Sequence, residues 1–294
     1  MNNNDIILKA DNLYFSYDDE KTHSLNGLSL EIPRGQKIAF MGANGSGKST
    51  FFLCCTGIHK PSSGTLYYNG EPYSYDRKGL LKLRSKIGIV FQDPDNQLFS
   101  ASVYQEISFG VLNLGYSEED AKKAVEDVIA ELEITSFRHK PTHALSGGQK
   151  KQVSIADILV MKPDIIILDE PVVGLDPDER MRFMEIIKSI QLDIPIIFST
   201  HIIDDIGSLS PEIIFFKNGQ IKFNGSSSQF IDSAKGKIYL CSRENLSKVK
   251  ERITSIKISE NTYRVIASNR LNYDFLQDTT PCMEDAYIYL NQDD

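Results

Sequence analysis

Hydrophobic and polar positions alternate through the first third of the chain. Ile6, Leu8 and Ala10 share one face, as do Leu28, Leu30 and Ile32, and Lys37 to Met41 is a nearly unbroken apolar run ending at Gly42. Alternation predicts strands with one covered face, whereas an unbroken run predicts a strand covered on both. Pro61-Ser-Ser-Gly64 reads as a turn, Thr65 to Tyr68 as a strand, Asn69-Gly70 as a hairpin turn and Ile87 to Phe91 as another short buried strand. Between residues 117 and 133 the period changes. Ser117 is placed to cap a helix, Glu118, Glu119 and Asp120 suit its positive end, and Ala121, Ala124, Val125, Val128, Ile129 and Leu132 fall on one face. A second helix is predicted from Ser146 to Val160, stopped before Pro163. Ile165 to Leu168 and Ile194 to Phe198 then read as central strands of a parallel sheet. Such alternation predicts an α/β fold with helices on both faces.

The texture changes after Gly225. Ser226-Ser-Ser228 loosens the chain, Lys237 to Cys241 reads as a strand, and Ser242 is placed to cap a helix carrying Leu246, Val249 and Ile253. Ile256 and Ile258 alternate, as do Tyr263, Val265 and Ala267, which predicts a hairpin around Ser259 to Thr262. Glu284 to Leu290 reads as a last short helix. The expected division is residues 5–235 as the main domain and 236–294 as a small α+β appendage.

Composition narrows the classes of function. The 294 residues carry 32 Lys+Arg against 40 Asp+Glu, a formal net charge of −8. That balance argues against nucleic acid as the main partner, because such binding needs a basic footprint. It gives no electrostatic reason to sit on anionic lipid either. No apolar run approaches the roughly 20 residues that span a bilayer, and no signal peptide is expected from the opening MNNNDIILK. Any membrane association is therefore expected through a partner. Cys54, Cys55, Cys241 and Cys282 form no CxxC pair and are expected as reduced thiols.

The strongest chemical signal is Gly42-Ala43-Asn44-Gly45-Ser46-Gly47-Lys48-Ser49-Thr50, directly after a predicted strand. It fits G-x-x-x-x-G-K-[ST], a loop whose backbone N–H groups wrap phosphate at a helix N-terminus. Lys48 supplies a point charge for the β- and γ-phosphates, and Ser49 a hydroxyl for Mg²⁺. Asp169 ends the strand Ile165 to Leu168, placed to hold Mg²⁺ through water, with Glu170 next to it to orient or deprotonate a water. Alone this pair also reads as a solvated acidic turn before Pro171; the P-loop upstream favours the first reading. Ser146, Gly147, Gly148 and Gln149 open a helix and make a second anion site about 100 residues away. Such a site makes sense for a nucleotide held mainly by another subunit.

With these motifs the chain resembles the ATP-binding cassette ATPases over about residues 5 to 230. The resemblance implies a P-loop ATPase with a RecA-like core, an antiparallel β subdomain and a helical subdomain bearing the signature sequence. It assigns Tyr17 to stacking on adenine, Gln92 to sensing Mg²⁺ and the attacking water, Asp176 to the loop crossing a dimer interface, and His201 to the γ-phosphate. It also implies a head-to-tail dimer, with itself or a paralogue, in which each ATP lies between Lys48 of one subunit and Ser146 of the other. His23, His59, His139 and His143 are expected to be structural.

Val90 to Phe99, Ser108-Phe-Gly110, Leu112-Asn-Leu114, Tyr75 to Gly79 and Gln97 to Ser102 narrow the likeness. They are most similar to the ATPases of energy-coupling-factor importers, and among them to the CbiO-type subunit of cobalt uptake systems. This implies an integral coupling protein and a substrate-binding membrane subunit as partners, cobalt as substrate before nickel or a vitamin, and residence at the cytoplasmic face of the membrane. Asp93 to Phe99 is the expected docking surface, where Leu98-Phe99 would either meet a partner or pack into the core. Asp157, Gln152 and Val172-Val173 depart from the family pattern in ways expected to alter packing rather than abolish hydrolysis. Thr280 to Tyr287 resembles the end of exporter-type cassettes. An exporter ATPase, a soluble cassette ATPase acting on DNA or ribosomes, and a non-hydrolysing regulator are the competing readings.

Overall fold

In the computed structural model, residues 5–17, 23–190, 194–200 and 212–292 are described. Three sheets organise them. The first is antiparallel, in the order β2-β1-β4-β5, from β1 (Ile6–Phe15), β2 (Leu25–Pro33), β4 (Ser63–Tyr68) and β5 (Glu71–Pro72). The second runs β10-β9-β3-β8-β7-β6, from β3 (Lys37–Met41), β6 (Ile87–Val90), β7 (Ile165–Leu168), β8 (Ile196–Ser199), β9 (Glu212–Lys217) and β10 (Gln220–Ser226). In it β9, β3, β8, β7 and β6 are parallel and β10 pairs antiparallel at the edge. Among the described residues the helices flanking these strands are α1 (Lys48–Cys55), α3 (Val103–Asn113), α4 (Glu118–Glu131), α5 (Gly147–Leu159) and α6 (Pro177–Ser189); α2 (Arg77–Arg84) follows the first sheet.

The unbroken apolar strands serve two cores at once. Ala39 and Met41 of β3, Ile166 and Leu168 of β7, and Ile213 and Phe215 of β9 face the cluster built with α3 to α6. Their neighbours Ile38, Phe40, Ile165, Ile167, Ile214 and Phe216 face the cluster built with α1 and the antiparallel sheet. Period two over a sheet covered on both sides requires apolar residues at every position, which is what the sequence shows. The hairpin at Asn69-Gly70 adopts φ 50° and 78°, the left-handed pair of a type I′ turn. Ser117 and Ser146 cap α4 and α5 as expected, each accepting from the backbone amide three residues on.

Beyond β10 lie α7 (Ser227–Asp232), β11 (Ile238–Ser242), β12 (Arg252–Lys257), β13 (Thr262–Ala267), β14 (Gln277–Asp278) and α8 (Met283–Asn291). The third sheet runs β12-β13-β11-β14, all antiparallel. The helix expected after Ser242 does not form. Leu246–Lys248 is one 3₁₀ turn, Val249 is buried behind it, and Ile253 lies in β12. Three apolar residues at helical spacing were too short a signal there. Ile253 falls at an irregularity in β12, and Thr254 to Lys257 pair with β13 and satisfy their backbone in the sheet instead. Ile238, Ile266 and Ala286 belong to the same buried cluster as Phe215, Phe230 and Ala234, so the third sheet and α8 are packed onto the end of the main sheet. Leu98 and Phe99 part company: Leu98 is buried in the core and Phe99 is 67% exposed.

Candidate functional site

The loop after β3 is forced into shape by its glycines. Gly42 and Gly47 have φ 142° and 109°, and a Cβ on either would come within 2.3 Å of the Phe216 carbonyl oxygen or 2.5 Å of that of Ser24. Ser46 N donates to Ala43 O at 3.1 Å and Gly219 N donates to Ser46 O at 2.9 Å, closing the loop against the turn between β9 and β10. Helix α1 then starts at Lys48 with no side-chain cap and no acidic residue in its first turn. By contrast α2 to α6 are capped by Asp76, Ser102, Ser117, Ser146 and Asp176. Uncapped amides at a helix N-terminus are donors in search of an anion. The buried Lys48 ammonium lies 2.8 Å from Gly42 O and 3.1 Å from Ala43 O, inside the loop. Burial pushes its pKa down, and the nearby Glu170 and Asp169 oppose the shift.

Asp169 and Glu170 leave the end of β7 beside this loop. Ser199, at the end of β8, holds both: its hydroxyl donates to Asp169 Oδ1 at 2.7 Å and accepts from Glu170 N at 2.7 Å. Asp169 N also donates to Val90 O at 2.9 Å, which ties β7 to the strand leading into Gln92. Glu170 has φ 43°, a left-handed conformation that a non-glycine residue seldom takes and that is concentrated at functional sites. Ser199 carried no motif signal; a buried polar residue closing an apolar strand was the available clue.

Ser49 is exposed at the first turn of α1, Asp169 is buried, and Gln92 is exposed after β6. These are hard oxygen donors at one edge of a parallel sheet, the chemistry that suits Mg²⁺. Among the described residues no group of three or more His, Cys, Asp and Glu converges on a point. A Mg²⁺ there would therefore draw its remaining ligands from phosphate and water, as that ion commonly does.

Tyr17 is 58% exposed and its hydroxyl lies 3.1 Å from Thr50 Oγ1, which places an open aromatic face beside α1. Phe15 and His59 meet its ring edge-on at 5.1 and 5.3 Å. His59 in turn stacks on Phe15 and His23 Nδ1 pairs with Ser16 Oγ at 2.9 Å, while His139 meets Tyr104. His201 lies outside the described residues.

Ser146 caps α5. Its hydroxyl accepts from Gln149 N and donates to Glu179 Oε1, and its amide donates to Gln149 Oε1, so Ser146 and Gln149 form a capping box. Gly147 is exposed and Gly148 half-buried. Asp176 caps α6, accepting from Glu179 N at 2.8 Å. Hydrogen bonds tie α5 to the segment after β6: Lys151 Nζ donates to Phe91 O and Gln92 O, and Gln97 Nε2 donates to Ser154 O at 3.1 Å. Neither Lys151 nor Glu179 was singled out by sequence reasoning, since each acts through a tertiary contact that no local motif encodes.

The ABC transporter family model matches residues 25–173. A putative ABC transporter ATP-binding protein of Clostridium perfringens is 47% identical over 224 residues, covering 76% of this chain and 78% of that protein. The energy-coupling factor transporter ATP-binding protein of Methanococcus maripaludis is 43% identical over 221 residues, 75% of this chain and 79% of that protein. Among solved structures, CbiO1 of Clostridium perfringens, described as part of the ABC transporter complex cbiONQ, is 45% identical with a TM-score of 0.71, covering 78% of this chain and 92% of that chain. An ATP-binding cassette dimer in a post-hydrolysis state with ADP and Pi is 26% identical with a TM-score of 0.67, covering 75% and 98%.

Proposed function

The chain belongs to the ABC transporter ATPases and is an ATP-hydrolysing transporter subunit of the energy-coupling-factor type, and on that premise we propose the following roles for its residues, partners and substrate. The observation that carries the site assignment is the uncapped, lysine-bearing start of α1 facing an Asp169–Glu170 pair fixed by Ser199. Residues 42 to 50 hold the phosphates, with Lys48 at the β- and γ-positions, and Tyr17 stacks on adenine. Ser49, Gln92 and Asp169 would hold Mg²⁺, which would neutralise phosphate charge. Glu170 aligns the attacking water and accepts its proton, its direction set by the strained backbone and by Ser199. The γ-phosphate contact is assigned to His201 on the family resemblance alone.

The site is completed by a second cassette, another copy of this chain or a paralogue, arranged head to tail. Its Ser146, Gly147, Gly148 and Gln149 close on the γ-phosphate, and its Asp176 crosses the interface. Support comes from the position of Ser146, whose side chain meets Glu179 and Gln149 and no residue of its own P-loop. Residues 5–235 form the nucleotide-binding unit in this reading, and 236–294 the appendage, whose described residues pack on its end.

Among the described residues no helix is long and apolar enough to cross a membrane. We therefore assign membrane attachment, at the cytoplasmic face, to an integral coupling protein that works with a substrate-binding membrane subunit. Phe99 and Phe109 meet edge to face at 4.9 Å, and with Leu112 they leave an exposed apolar patch beside residues 92–99. Such a patch suits a protein contact. Cobalt import is the substrate reading, supported by the likeness to CbiO1, with nickel or a vitamin as the variants. The test is to recover the tagged chain from membranes expressing its gene neighbours. Retention of an integral protein, lost on Phe99→Ser, is the expected result; recovery with ribosomes and no integral protein would refute transport.

A further inference from the structure

The start of α5 already holds an anion, and it comes from this chain. Glu179 Oε1 accepts from Ser146 Oγ at 3.0 Å and from Gly148 N at 3.3 Å. The carboxylate fills the space over Gly148 so closely that a Cβ there would lie 2.8 Å from it. Helix α5 has no acidic residue in its own first turn, so Glu179 is the negative group seated at its positive end. Ser146 has a single hydroxyl proton, and Glu179 takes it. A γ-phosphate oxygen approaching the same serine and glycine would need the same two donors.

Glu179 also has another place to go. It is the third residue of α6, whose cap is Asp176. A glutamate at that position ordinarily folds back onto the amide of its own capping residue, but here it reaches across to α5. Arg182, one turn on, lines the same small cleft with Gln152 and Phe183. The structure seats the carboxylate on the signature motif, and the start of its own helix offers it a second position. Because Asp176 caps the helix that bears it, movement of the interface loop and of Glu179 are linked.

We propose that Glu179 is a built-in competitor of ATP at the signature motif: it occupies the γ-phosphate subsite in the open subunit and must withdraw before a nucleotide held by the other cassette can close on Ser146 and Gly148. The competition raises the ATP concentration needed for closure and keeps the empty motif from being filled by stray anions. The inference rests on the reading of Ser146 and Gly148 as that subsite.

The test is ATP hydrolysis by the assembled transporter carrying Glu179→Gln or Glu179→Ala. Glutamine keeps the length and the acceptor oxygen but removes the charge, so it decides the matter even if the alanine variant folds poorly. A charge-assisted hydrogen bond exceeds a neutral one by enough to matter here: half-saturating ATP should fall about three- to tenfold, with kcat held within about twofold. The difference from wild type should shrink as salt rises. Half-saturating ATP unchanged or raised in Glu179→Gln overturns the inference. A wild-type complex that hydrolyses no ATP, or one indifferent to Ser146→Ala, would instead remove the underlying reading of the site.

Discussion

The buried ammonium of Lys151 lies 2.6 Å from the carbonyl oxygen of Gln92 and 3.2 Å from that of Phe91. One lysine of the signature helix thus fixes the backbone from which Gln92 projects. Lys151→Met would leave both carbonyls without this donor at a cost of about 1–3 kcal/mol, measurable by denaturant unfolding. Burial pushes the Lys151 pKa from 10.5 to about 8, against the pull of Asp169, Asp93 and Glu170. With the folded value below the unfolded one, the cost of burying the charge is in force below about pH 8. It fades as pH rises towards 10.5. Wild type should gain stability relative to Lys151→Met across that window.

Asp157 has the opposite sign. It sits mostly buried on α5, and burial, then the charge of Glu106, push its carboxyl from 3.8 up to about 7, with a Gln97 hydrogen bond partly opposing. Its protonated form is the one the fold prefers, so stability from this group is greatest below about pH 4 and is lost as pH rises towards 7. Asp157→Asn should therefore stabilise the protein at pH 8 by roughly 2 kcal/mol and by little at pH 4. Thermal melts at the two pH values check this.

Ser199 orients both acidic residues without carrying charge. Ser199→Ala should lower kcat by about tenfold while nucleotide binding stays within a factor of about three. Turnover and ATP-binding titrations on the same preparation separate the two. Equal losses in both would mean that Ser199 acts on the fold instead.

In the appendage, Asp285 is fully buried and accepts from Arg264 Nε at 2.8 and 3.0 Å and from Cys282 N at 2.7 Å. Burial pushes its carboxyl up, but these bonds outweigh it and hold the pKa below 3.8. The stability it contributes is present above about pH 4 and lost as pH falls below. Asp285→Ala leaves Arg264 without its carboxylate partner and should cost about 3–5 kcal/mol. Limited proteolysis should then cut residues 236–292 first.

The parts of the fold that were legible in the sequence are those in which backbone needs dictate residue type. A loop that turns through φ 142° at Gly42 and 109° at Gly47 must be glycine there, so the P-loop announces itself. Strands buried on both faces must be apolar throughout, which is why β3 and β7 were plain. The α4 and α5 caps were legible because a serine side chain satisfies amides only a few residues away. Contacts made across elements were not. Glu179 looks like an ordinary first-turn acid until α6 is laid against α5, and Lys151 looks like a surface lysine until β6 arrives beneath it. Leu98 and Phe99 are adjacent and equally apolar, and only the packing of α3 decides which is buried. The missing helix after Ser242 is the same lesson in reverse: spacing fitted, but the strand pairing with β13 was the stronger outcome.

In the proposed mechanism Glu170 drives water onto an ATP held between Lys48 of one cassette and Ser146 of another. Steady-state ATP turnover by the assembled complex, wild type against Glu170→Gln, tests it most directly, with bound nucleotide assayed after gel filtration. Turnover reduced by about 10²-fold or more, with ATP and Mg²⁺ retained in a dimer of cassettes, is the expected result. Unchanged turnover by Glu170→Gln would contradict it.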